Sequence, residues 1–592
     1  MLALEEAEPL SRKAYRELEE AVGPENVSEE PGVLDGYAWQ PTFNISPESW
    51  ADRPAAVVLP GSTEETQGVV RACNAHGIKF KAHSTGWGIF NACMSGSVIL
   101  DMRRMNRIVE IDEKNMYAVI EPYVSGAALH AELTRRGLNC HIIGAGAGAS
   151  PLASATSGWG NSWDSIYMSY SPRNVLATEW VLPTGELLRL GTLGQEGTWF
   201  SGDGPGPSLR GLMRGWCGAM GGIGVFTRVA VKIFNWPGPA EVTDDGLLLD
   251  FDPPIPDNFR MFMAVLPDSK AFADALYKIG EAEVGYMSAK NSIGMLMAAA
   301  MPHLLRKLPE APMLVRMLDA FHYQFQHILA GNSGRELAYQ EKTFRRIISD
   351  HDGFLLDLGD TPLGPLIFWG LVKSSMPPLI FRMGGQFTNF CGFDESWDAM
   401  VRTAEDGEKI KRKWIDRGGL LEDLADNAWM LPQEDGMFAH AEQLVLYDPR
   451  DERQMKLLPN ALANGLLSAI SNCQYPGPMG INPQVRQLLS PMMSYYNHWT
   501  KKFKNALDPL NVADDIAYTS EEVVDEIGMD LAELELDLSP DELVRLVTDR
   551  MGVMTPPRGL TLEPGLSGRE DSGAESPASN SRGGKGGTDG TA

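Results

Sequence analysis

Cysteine is scarce in this chain of 592 residues, and its six cysteines are widely scattered: Cys73, Cys93, Cys140, Cys217, Cys391 and Cys473. No two of them stand at the spacing of zinc or iron–sulfur ligands, so we expect neither kind of site within the chain. They also form no pattern typical of a disulfide framework. A reducing cytoplasm is therefore the expected compartment.

Long apolar runs are also missing. The N-terminus, MLALEEAEPLSRKAY, lacks a basic start followed by an apolar core, and so does not resemble a signal peptide. No stretch approaches the ~20 apolar residues of a membrane span. The most apolar helix-like patch, residues 293–305, is too short, and its composition favours core over a docking surface.

Basic residues are outnumbered, with 51 Lys and Arg against 78 Asp and Glu and a net charge of −27. That charge would repel nucleic-acid phosphates, so we expect no nucleic-acid partner. It favours solubility, and it would also suit a basic protein partner. The length indicates two or more domains with ample core.

One stretch of small and polar residues, KAHSTGWG at residues 81–88, lies between two apolar runs that are predicted strands, residues 77–82 and 97–100. Glycine permits positive φ angles and lets backbone N–H groups approach a bound anion. A polar hairpin loop is the alternative interpretation of such a short match.

The elements around this stretch predict an α+β layer fold. Residues 55–59 read as a buried strand. Ser62 and Glu65 form a capping-box pattern that opens a helix ending before Gly77. Another strand is predicted at residues 117–122, and another helix at residues 125–136, stopped by Gly137.

Five strings of the sequence resemble a known family and appear in its order: RPAAVVLPGSTEETQGVVRACNAHGIKFKAHSTGWG, VILDMRRMNRIVEIDEKNMYAVIEPYVSGAALHAEL, TEWVLPTGELLRLG, GGIGVFTRVAVKI and KNALDPLNV. They resemble the FAD-binding fold shared by vanillyl-alcohol oxidase, p-cresol methylhydroxylase, glycolate oxidase and alkylglycerone-phosphate synthase. The resemblance covers roughly residues 20–515 and is strongest up to Phe234. It implies the two-subdomain PCMH-type fold, with an α/β substrate cap.

Composition and resemblance together predict six segments. They are a lead-in over residues 1–50, the FAD-binding domain over 51–237, the cap over 238–475, a return to the FAD domain over 476–520, an acidic helical extension over 521–557 and a tail over 558–592. The cap is expected to contain a helical insertion at residues 293–349. The tail is too polar to offset its ordering entropy, so we expect disorder there.

The resemblance implies three loops that hold FAD. The first and second would contact the pyrophosphate, and the third would line the adenosine, largely through backbone atoms. The residues concerned are His83, Ser84, Thr85, Gly86, Trp87 and Gly88 in the first loop, Ser150, Ser154, Ala155, Thr156, Gly158 and Gly160 in the second, and Gly222, Gly224 and Val225 in the third.

A competing motif overlaps the second loop. Gly144, Gly146 and Ala149 match the dinucleotide fingerprint G-x-G-x-x-A, and Asp164 follows Gly144 by 20 residues, which would indicate an NAD site. That fingerprint requires a long helix to begin there. The residues after Ser150 soon reach two glycines, so the NAD interpretation is disfavoured.

Some members of the family bind FAD covalently. His83 matches the position before the phosphate-binding residues, and the linking histidine of the covalent members falls elsewhere. We therefore interpret His83 as a hydrogen-bonded loop residue, and we expect FAD to be held without a covalent bond.

The substrate side departs from the phenol-oxidising members. Tyr475 falls at the position of their phenolate-binding tyrosine, but Pro476 replaces the neighbouring arginine. Their catalytic aspartate matches Gly148 or a neighbour and is absent. Arg382 could pair with a substrate carboxylate, although a structural salt bridge is the favoured interpretation.

The stretch DGMFAHAEQLVLYDPRDE loosely resembles the strand of glycolate and lactate dehydrogenases that carries an active-site histidine. His440 or Glu442 would then act as a base that takes a proton while the substrate carbon gives up hydride. The alternative is a strand histidine that faces core or solvent. Together with Tyr475, these two residues are the catalytic candidates.

The sequence thus predicts an FAD-dependent oxidoreductase, an oxidase or dehydrogenase that takes hydride from a small-molecule substrate: an alcohol, a 2-hydroxy acid or a phenolic carbon. Two alternatives stay open. One is a flavin electron-transfer subunit of a larger complex, and the other is a non-redox flavoenzyme resembling alkylglycerone-phosphate synthase. An electron-accepting protein partner and homo-oligomer formation are both compatible with the sequence.

Overall fold

The structure is a computed structural model. It describes residues 9–38, 53–86, 96–144, 146–158, 160–191, 206–215, 218–241, 253–294, 297, 302–305, 307–362, 364–375, 386–426, 428–436, 438–448, 450–472, 495–513 and 535.

The described α-helices are α1 Arg12–Val22, α2 Pro31–Ala38, α3 Thr63–His76, α4 Gly126–Thr134, α5 Pro151–Thr156, α6 Ser165–Met168, α7 Ser269–Glu281, α8 Pro302–Leu305, α9 Pro312–Asp319, α10 Gly334–Asp350, α11 Gly364–Val372, α12 Trp397–Asp416, α13 Glu452–Ser471 and α14 Tyr496–Leu507. The strands are β1 Val27–Ser28, β2 Ala56–Val58, β3 Phe80–His83, β4 Val98–Asp101, β5 Ile108–Asp112, β6 Tyr117–Ile120, β7 Leu138–Asn139, β8 Val175–Val181, β9 Leu187–Leu190, β10 Val225–Lys232, β11 Phe234–Asn235, β12 Phe259–Val265, β13 Met287–Ala289, β14 Gln324–Ala330, β15 Phe354–Asp357, β16 Gln386–Glu395, β17 Ala428–Gln433 and β18 Phe438–Tyr447.

The first sheet has the strand order β1-β2-β4-β3, with β1 antiparallel to β2 and the other pairs parallel. Helix α3 packs beside it, and its ends follow the prediction. The Ser62 side chain accepts a hydrogen bond from the Glu65 N–H, and Gly77 ends the helix in the left-handed region at φ 64°. The Glu65 carboxylate reaches the N–H of Gly61, one residue before the position that a capping box uses.

Residues 512 and 513, near the C-terminal end of the described chain, return to this sheet. Ala513 forms a parallel bridge with Phe80 on β3, and the Phe80 N–H donates to the carbonyl of Val512 at 2.8 Å. Val512 and Ala513 are buried in the same core as β2, β4 and α3. The edge of the first sheet is therefore completed by residues more than 400 positions further along the chain.

The second sheet is wholly antiparallel, with the order β5-β6-β10-β8-β9. Its central strand β10 alternates between two buried faces, because one face meets α4 and α5 while the other lies against α3. A two-stranded ribbon of β7 and β11 follows at one side. The predicted α+β class is confirmed.

Two further antiparallel sheets form the region between residues 253 and 472, with the orders β13-β14-β12-β15 and β16-β18-β17. Backbone bonds between Lys290 and Met430, at 2.8 and 3.1 Å, join β13 to β17. The two sheets are therefore joined edge to edge into seven strands, in the order β16-β18-β17-β13-β14-β12-β15.

The two faces of this seven-strand arrangement have different neighbours, because successive side chains of a strand point to opposite sides. One face packs against α7, α10, α12 and α13 around the largest core cluster. The opposite face carries Met261, Met287, Trp429, Leu431 and Leu444, and it packs against Trp163, Met168 and Trp236 of the FAD-binding half. We call this second side the inner face.

The predicted helical insertion at residues 293–349 is wrong for part of its length. Residues 324–330 form β14, which pairs with β12 over its full length, QFQHILA, and with β13 at residues 326–328. The prediction followed the Met- and Leu-rich composition and overlooked these residues, whose side chains alternate between the helix-covered face and the inner face. Helices α8, α9 and α10 account for other parts of the segment.

Among the described residues, no helix combines the length and the apolar character needed to cross a membrane.

Candidate functional site

The first two predicted FAD loops are bound to each other. The hydroxyls of Ser84 and Ser150 both donate to the carbonyl oxygen of Pro122, the latter at 2.6 Å. The Ser150 N–H in turn donates to the hydroxyl oxygen of Thr85 at 3.0 Å. The two segments that the sequence predicts around one pyrophosphate thus lie side by side.

The hydroxyls of the second loop point inward. Thr156 donates to the carbonyl of Leu152 at 2.9 Å, and Ser154 donates to the carbonyl of Pro151 at 3.2 Å. With Ser84 and Ser150 donating to Pro122, all four hydroxyls have a backbone carbonyl as acceptor, and Ser154 also lies 3.2 Å from the hydroxyl of Ser171. Contact between these loops and an anion therefore falls mainly to backbone N–H groups, which small residues leave accessible.

The third loop meets the second through the backbone. The Ala219 N–H donates to the carbonyl of Thr156 at 2.7 Å. A Cβ atom at Gly218 would lie 2.4 Å from that same carbonyl oxygen, so only glycine permits the approach. All three predicted loops therefore converge on one region at the ends of β3, α5 and β10.

Buried Lys504 on α14 fixes the third loop, and the sequence analysis did not predict this role of the lysine. Its ammonium group donates to the carbonyl of Gly222 at 2.8 Å, to the Asp508 carboxylate at 2.8 Å and to the carbonyl of Ala513 at 3.0 Å. Asp508 also accepts the N–H groups of Val512 and Ala513, both at 2.9 Å. The string KNALDPLNV carried this signal, because it places Lys504 and Asp508 one helical turn apart.

Some of the predicted glycines are required because neighbouring atoms leave no room for a side chain. A Cβ at Gly224, which has φ +117°, would lie 2.3 Å from the carbonyl oxygen of Val181. A Cβ at Gly160 would lie 2.5 Å from the Cβ of Ser171. By contrast, among the described residues a Cβ at Gly86, with φ +76°, would meet only the ring of His83 at 3.3 Å, and one at Gly148 would meet nothing within 4 Å. The open space is therefore beside the first loop and the start of the second.

His83 ends β3 beside the first loop and lies edge-on to Tyr37, with ring centroids 5.1 Å apart. Burial lowers the pKa of His83, while the nearby Asp101 carboxylate raises it. Lys81 lies on the same side of β3, is 1% exposed, and has its Cε 3.5 Å from a Cβ built on Gly221. A buried cation thus stands between the first and third loops.

The structure excludes the dinucleotide fingerprint at residues 144–149. Helix α5 has only six residues. Gly144 is small because a Cβ there would lie 2.7 Å from Cη2 of Trp429. Both oxygens of Asp164 are engaged, one with His141 Nδ1 at 2.5 Å and the other with the N–H of Ile142 at 3.2 Å, so the carboxylate is not presented to a ribose.

The structure brings His440 and Glu442 together on the inner face of β18. His440 is fully buried and Glu442 is 8% exposed. The Nε2 of His440 lies 3.5 Å from Glu442 Oε1, and its Nδ1 lies 3.0 Å from the Asn161 Nδ2 of the second-loop region. The pair therefore stands where the seven-strand arrangement meets the FAD-binding half.

Aromatic rings surround this pair. Trp429 on β17 is edge-on to His440, with ring centroids 5.8 Å apart, and also edge-on to Trp163 at 6.0 Å. The indole N–H of Trp163 donates to Asn291 Oδ1 at 3.3 Å. Nothing in the sequence flagged Asn161 or Trp429, because the contacts that define them join segments about 280 residues apart.

Amide side chains hold this arrangement from the β14 side. Asn291 Nδ2 donates to Gln326 Oε1 at 2.5 Å, Gln326 Nε2 donates to Gln324 Oε1 at 2.6 Å, and Gln324 Nε2 returns to the carbonyl of Asn291 at 2.6 Å. The closed circuit satisfies buried polar groups and orients the Trp163 ring.

Four predicted site residues lie outside the described residues: Trp87, Gly88, Arg382 and Tyr475. Their roles, and the segment boundaries predicted around them, stay predictions.

Comparison with known proteins bears on the fold and on the cofactor. Residues 54–191 match the family model described as an FAD binding domain. The chain is 30% identical over 290 residues to the flavoprotein subunit of 4-cresol dehydrogenase (hydroxylating) from Pseudomonas putida, a match that covers 46% of this chain and 52% of that one. The chain thus spans about half the length of this curated relative.

Two solved structures share the fold. p-Cresol methylhydroxylase with substrate bound matches with a TM-score of 0.67 at 18% identity, covering 87% of this chain and 99% of that one. The 4-ethylphenol oxidase of Gulosibacter chungangensis matches with a TM-score of 0.64 at 20% identity, covering 86% and 98%. The expected fold and the expected FAD cofactor are confirmed: residues 54–191 are an FAD-binding domain, in a chain with the fold of p-cresol methylhydroxylase.

Proposed function

We propose that the protein is an FAD-dependent oxidoreductase that oxidises an apolar alcohol or phenol. The observation that carries the proposal is the buried pair of His440 and Glu442, which faces the FAD-binding half from the inner face of β18. Buried titratable pairs of this kind are unusual in a purely structural sheet, because burial is costly for a carboxylate.

The three loops fit FAD. They converge at one place, the described residues leave space beside Gly86 and Gly148, and buried Lys81 offers positive charge near the segments proposed to bind phosphate. Residues 84–86, 148–156 and 221–225 would hold the dinucleotide. When bound, the flavin supplies a two-electron acceptor for the hydride that the substrate carbon loses.

The chain's own residues would handle the proton. The Asn161 amide donates to Nδ1 of His440, which leaves the proton of the neutral ring on Nε2. His440 then acts as a hydrogen-bond donor, and Glu442 acts as the base that takes the O–H proton of the substrate. The O–H hydrogen leaves as a proton, and the electron pair of that bond stays on the oxygen of the oxidised product. The C–H hydrogen leaves as a hydride, which carries the electron pair of the C–H bond with it.

The inner face favours an uncharged substrate. On the described parts of β12, β13, β14, β17 and β18, this face carries Met, Leu, Trp, Gln, His and Glu side chains and no lysine or arginine. A substrate carboxylate would there lie beside the carboxylate of Glu442, and two like charges in one buried site repel each other. Hydroxy acids are therefore disfavoured relative to alcohols and phenols.

The test is anaerobic reduction of the FAD-loaded protein, followed by flavin absorbance. The panel is benzyl alcohol, p-cresol, D-lactate and D-2-hydroxyglutarate. We expect bleaching with the first two compounds. Bleaching by the hydroxy acids alone would overturn the substrate class, and a flavin that none of them reduces but that a low-potential dye reduces would favour the electron-transfer subunit.

A further inference from the structure

The indole N–H of Trp429 is a buried donor that has no hydrogen-bond partner in the part of the chain that the structure describes. The residue is only 8% exposed. Buried polar groups in folded proteins are nearly always hydrogen-bonded, so a donor left over beside a candidate catalytic pair calls for a ligand.

The N–H edge of this ring faces the FAD-binding half. Ring atoms Cζ2 and Cη2 lie 2.9 and 2.7 Å from a Cβ built on Gly144. Cζ2 is separated from Nε1 by a single ring carbon, so the N–H belongs to the same edge of the indole. Gly144 itself is tied to Asn161 by a backbone hydrogen bond of 2.8 Å.

The ring also shares its side of the sheet with the proposed catalytic pair. Trp429 is directly opposite Glu442 in the β17–β18 register, and Leu431 is opposite His440. Side chains at directly opposed positions project from the same face of an antiparallel pair. Trp163 holds the ring from one side, and its own N–H is already engaged by Asn291.

We propose that Trp429 is a substrate-binding residue whose N–H donates to the substrate oxygen that gives its proton to Glu442. This inference rests on the proposed function and adds the group that selects the substrate. An indole N–H is a donor only, so its partner must be an acceptor such as an oxygen, and the hydrogen bond strengthens as negative charge develops on that oxygen. An apolar compound of the same shape but without oxygen would leave the donor unpaired.

The test uses two unreactive probes and a matched pair of variants. Phenol carries the oxygen but no alkyl carbon to oxidise, and toluene lacks the oxygen; both are titrated against the oxidised holoprotein by flavin difference absorbance. Trp429→Phe removes the N–H and keeps an aromatic ring. Trp397→Phe is the control, because Trp397 on α12 is also buried with an unpartnered N–H but belongs to the core on the helix-covered face.

We expect Trp429→Phe to weaken phenol binding about tenfold, to leave toluene binding within twofold, and to lower kcat/KM for the panel compound that is turned over by a similar factor. FAD content should not change. Trp397→Phe should leave both probes within twofold. Trp429→His, which keeps a ring N–H, should recover part of the loss.

Unchanged phenol binding in Trp429→Phe would overturn the inference while leaving the proposed function intact. Equal losses for phenol and toluene would make Trp429 a packing residue, and loss of FAD from a folded variant would make it a flavin contact; both results overturn the inference. Failure of the wild-type protein to be reduced by any panel compound would instead count against the proposed function.

Discussion

The ammonium group of Lys504 donates a hydrogen bond of 2.8 Å to the carbonyl oxygen of Gly222, across 282 positions of the chain. The same group pairs with Asp508, and both side chains are almost completely buried. One lysine therefore fixes the third FAD loop to the C-terminal return of the chain.

Replacing this lysine should loosen the third loop. Lys504→Met leaves the Asp508 carboxylate buried without its cation, and removing one partner of a buried ion pair costs about 3–5 kcal/mol. We expect a loss of that size in urea unfolding, together with weaker FAD binding. Lys502→Met is the control on the same helix, since Lys502 is exposed and rests on the Trp499 ring. Equal effects of both substitutions would contradict the assignment.

The first loop can be tested with two glycines that share a backbone conformation. Gly86 and Gly77 have φ of +76° and +64°, so alanine costs about 1–2 kcal/mol at either position. Gly86→Ala should also weaken FAD binding at least tenfold, because its Cβ occupies the open side of the loop. Gly77→Ala, at the end of α3, should retain normal FAD affinity. Unchanged affinity in Gly86→Ala would show that the loop does not contact the cofactor.

Glu442 is expected to be the base. Glu442→Gln keeps the shape and removes the proton acceptor, so turnover should fall by about 10²–10⁴-fold, the range typical of a lost general base. FAD content should stay constant. Glu395→Gln, at an exposed position of neighbouring β16, is the matched control. If Glu442→Gln turns over normally while His440→Asn does not, the roles of the two residues are reversed.

The FAD is expected to be releasable. Acid precipitation of the purified protein should leave yellow FAD in the supernatant, because the family resemblance matches His83 to the position before the expected phosphate-binding residues and not to a linking position. Flavin retained in the pellet would contradict this prediction. Recovery of FMN in place of FAD would argue against an adenosine site at Gly222, Gly224 and Val225.

Stability should fall in acid because two histidines are buried in neutral form. Burial lowers the pKa of His327 to about 3 and that of His130 to about 4. The unfolded chain takes up these protons near pH 6.5 and the folded chain does not. The stabilisation is therefore complete above pH 6.5 and is lost as the pH falls towards 4, by about 3 kcal/mol for His327.

Urea unfolding of His327→Leu at pH 7.5 and 4.5 measures this effect. The variant should lose less stability between the two pH values than the wild-type protein loses. His303→Leu, at an exposed position on α8, should follow the wild-type slope. An unchanged slope in His327→Leu would show that His327 accepts its proton in the folded state.

Local signals in the sequence sufficed for much of the FAD-binding half. Ser62 and Gly77 bound α3 as their cap chemistry predicts, and the three loops carry small residues at close backbone approaches. The contacts of the inner face were harder to predict from the sequence. Gly144 looked like part of a dinucleotide fingerprint, whereas it is small because Trp429 packs against it. No local pattern reports a contact between residues 285 positions apart.

The missed strand β14 has a similar cause. Gln324 and Gln326 are polar residues on a buried face, so the strand lacks the apolar-inside pattern by which strands are recognised. The circuit of hydrogen bonds with Asn291 satisfies their amide groups, so these side chains can be buried. That circuit exists only once β13 and β14 are paired. Composition alone therefore favoured a helical insertion at this place.

The pairing of Phe80 with Ala513 bears on how the protein is made. The first sheet gains its last edge only after residue 513 has left the ribosome. The Lys504 contact that holds the third loop also forms only at that late stage. The seven-strand region is complete by residue 447 and can fold earlier, on contacts of its own. During synthesis the first sheet is thus closed only after all strands of the seven-strand region are available.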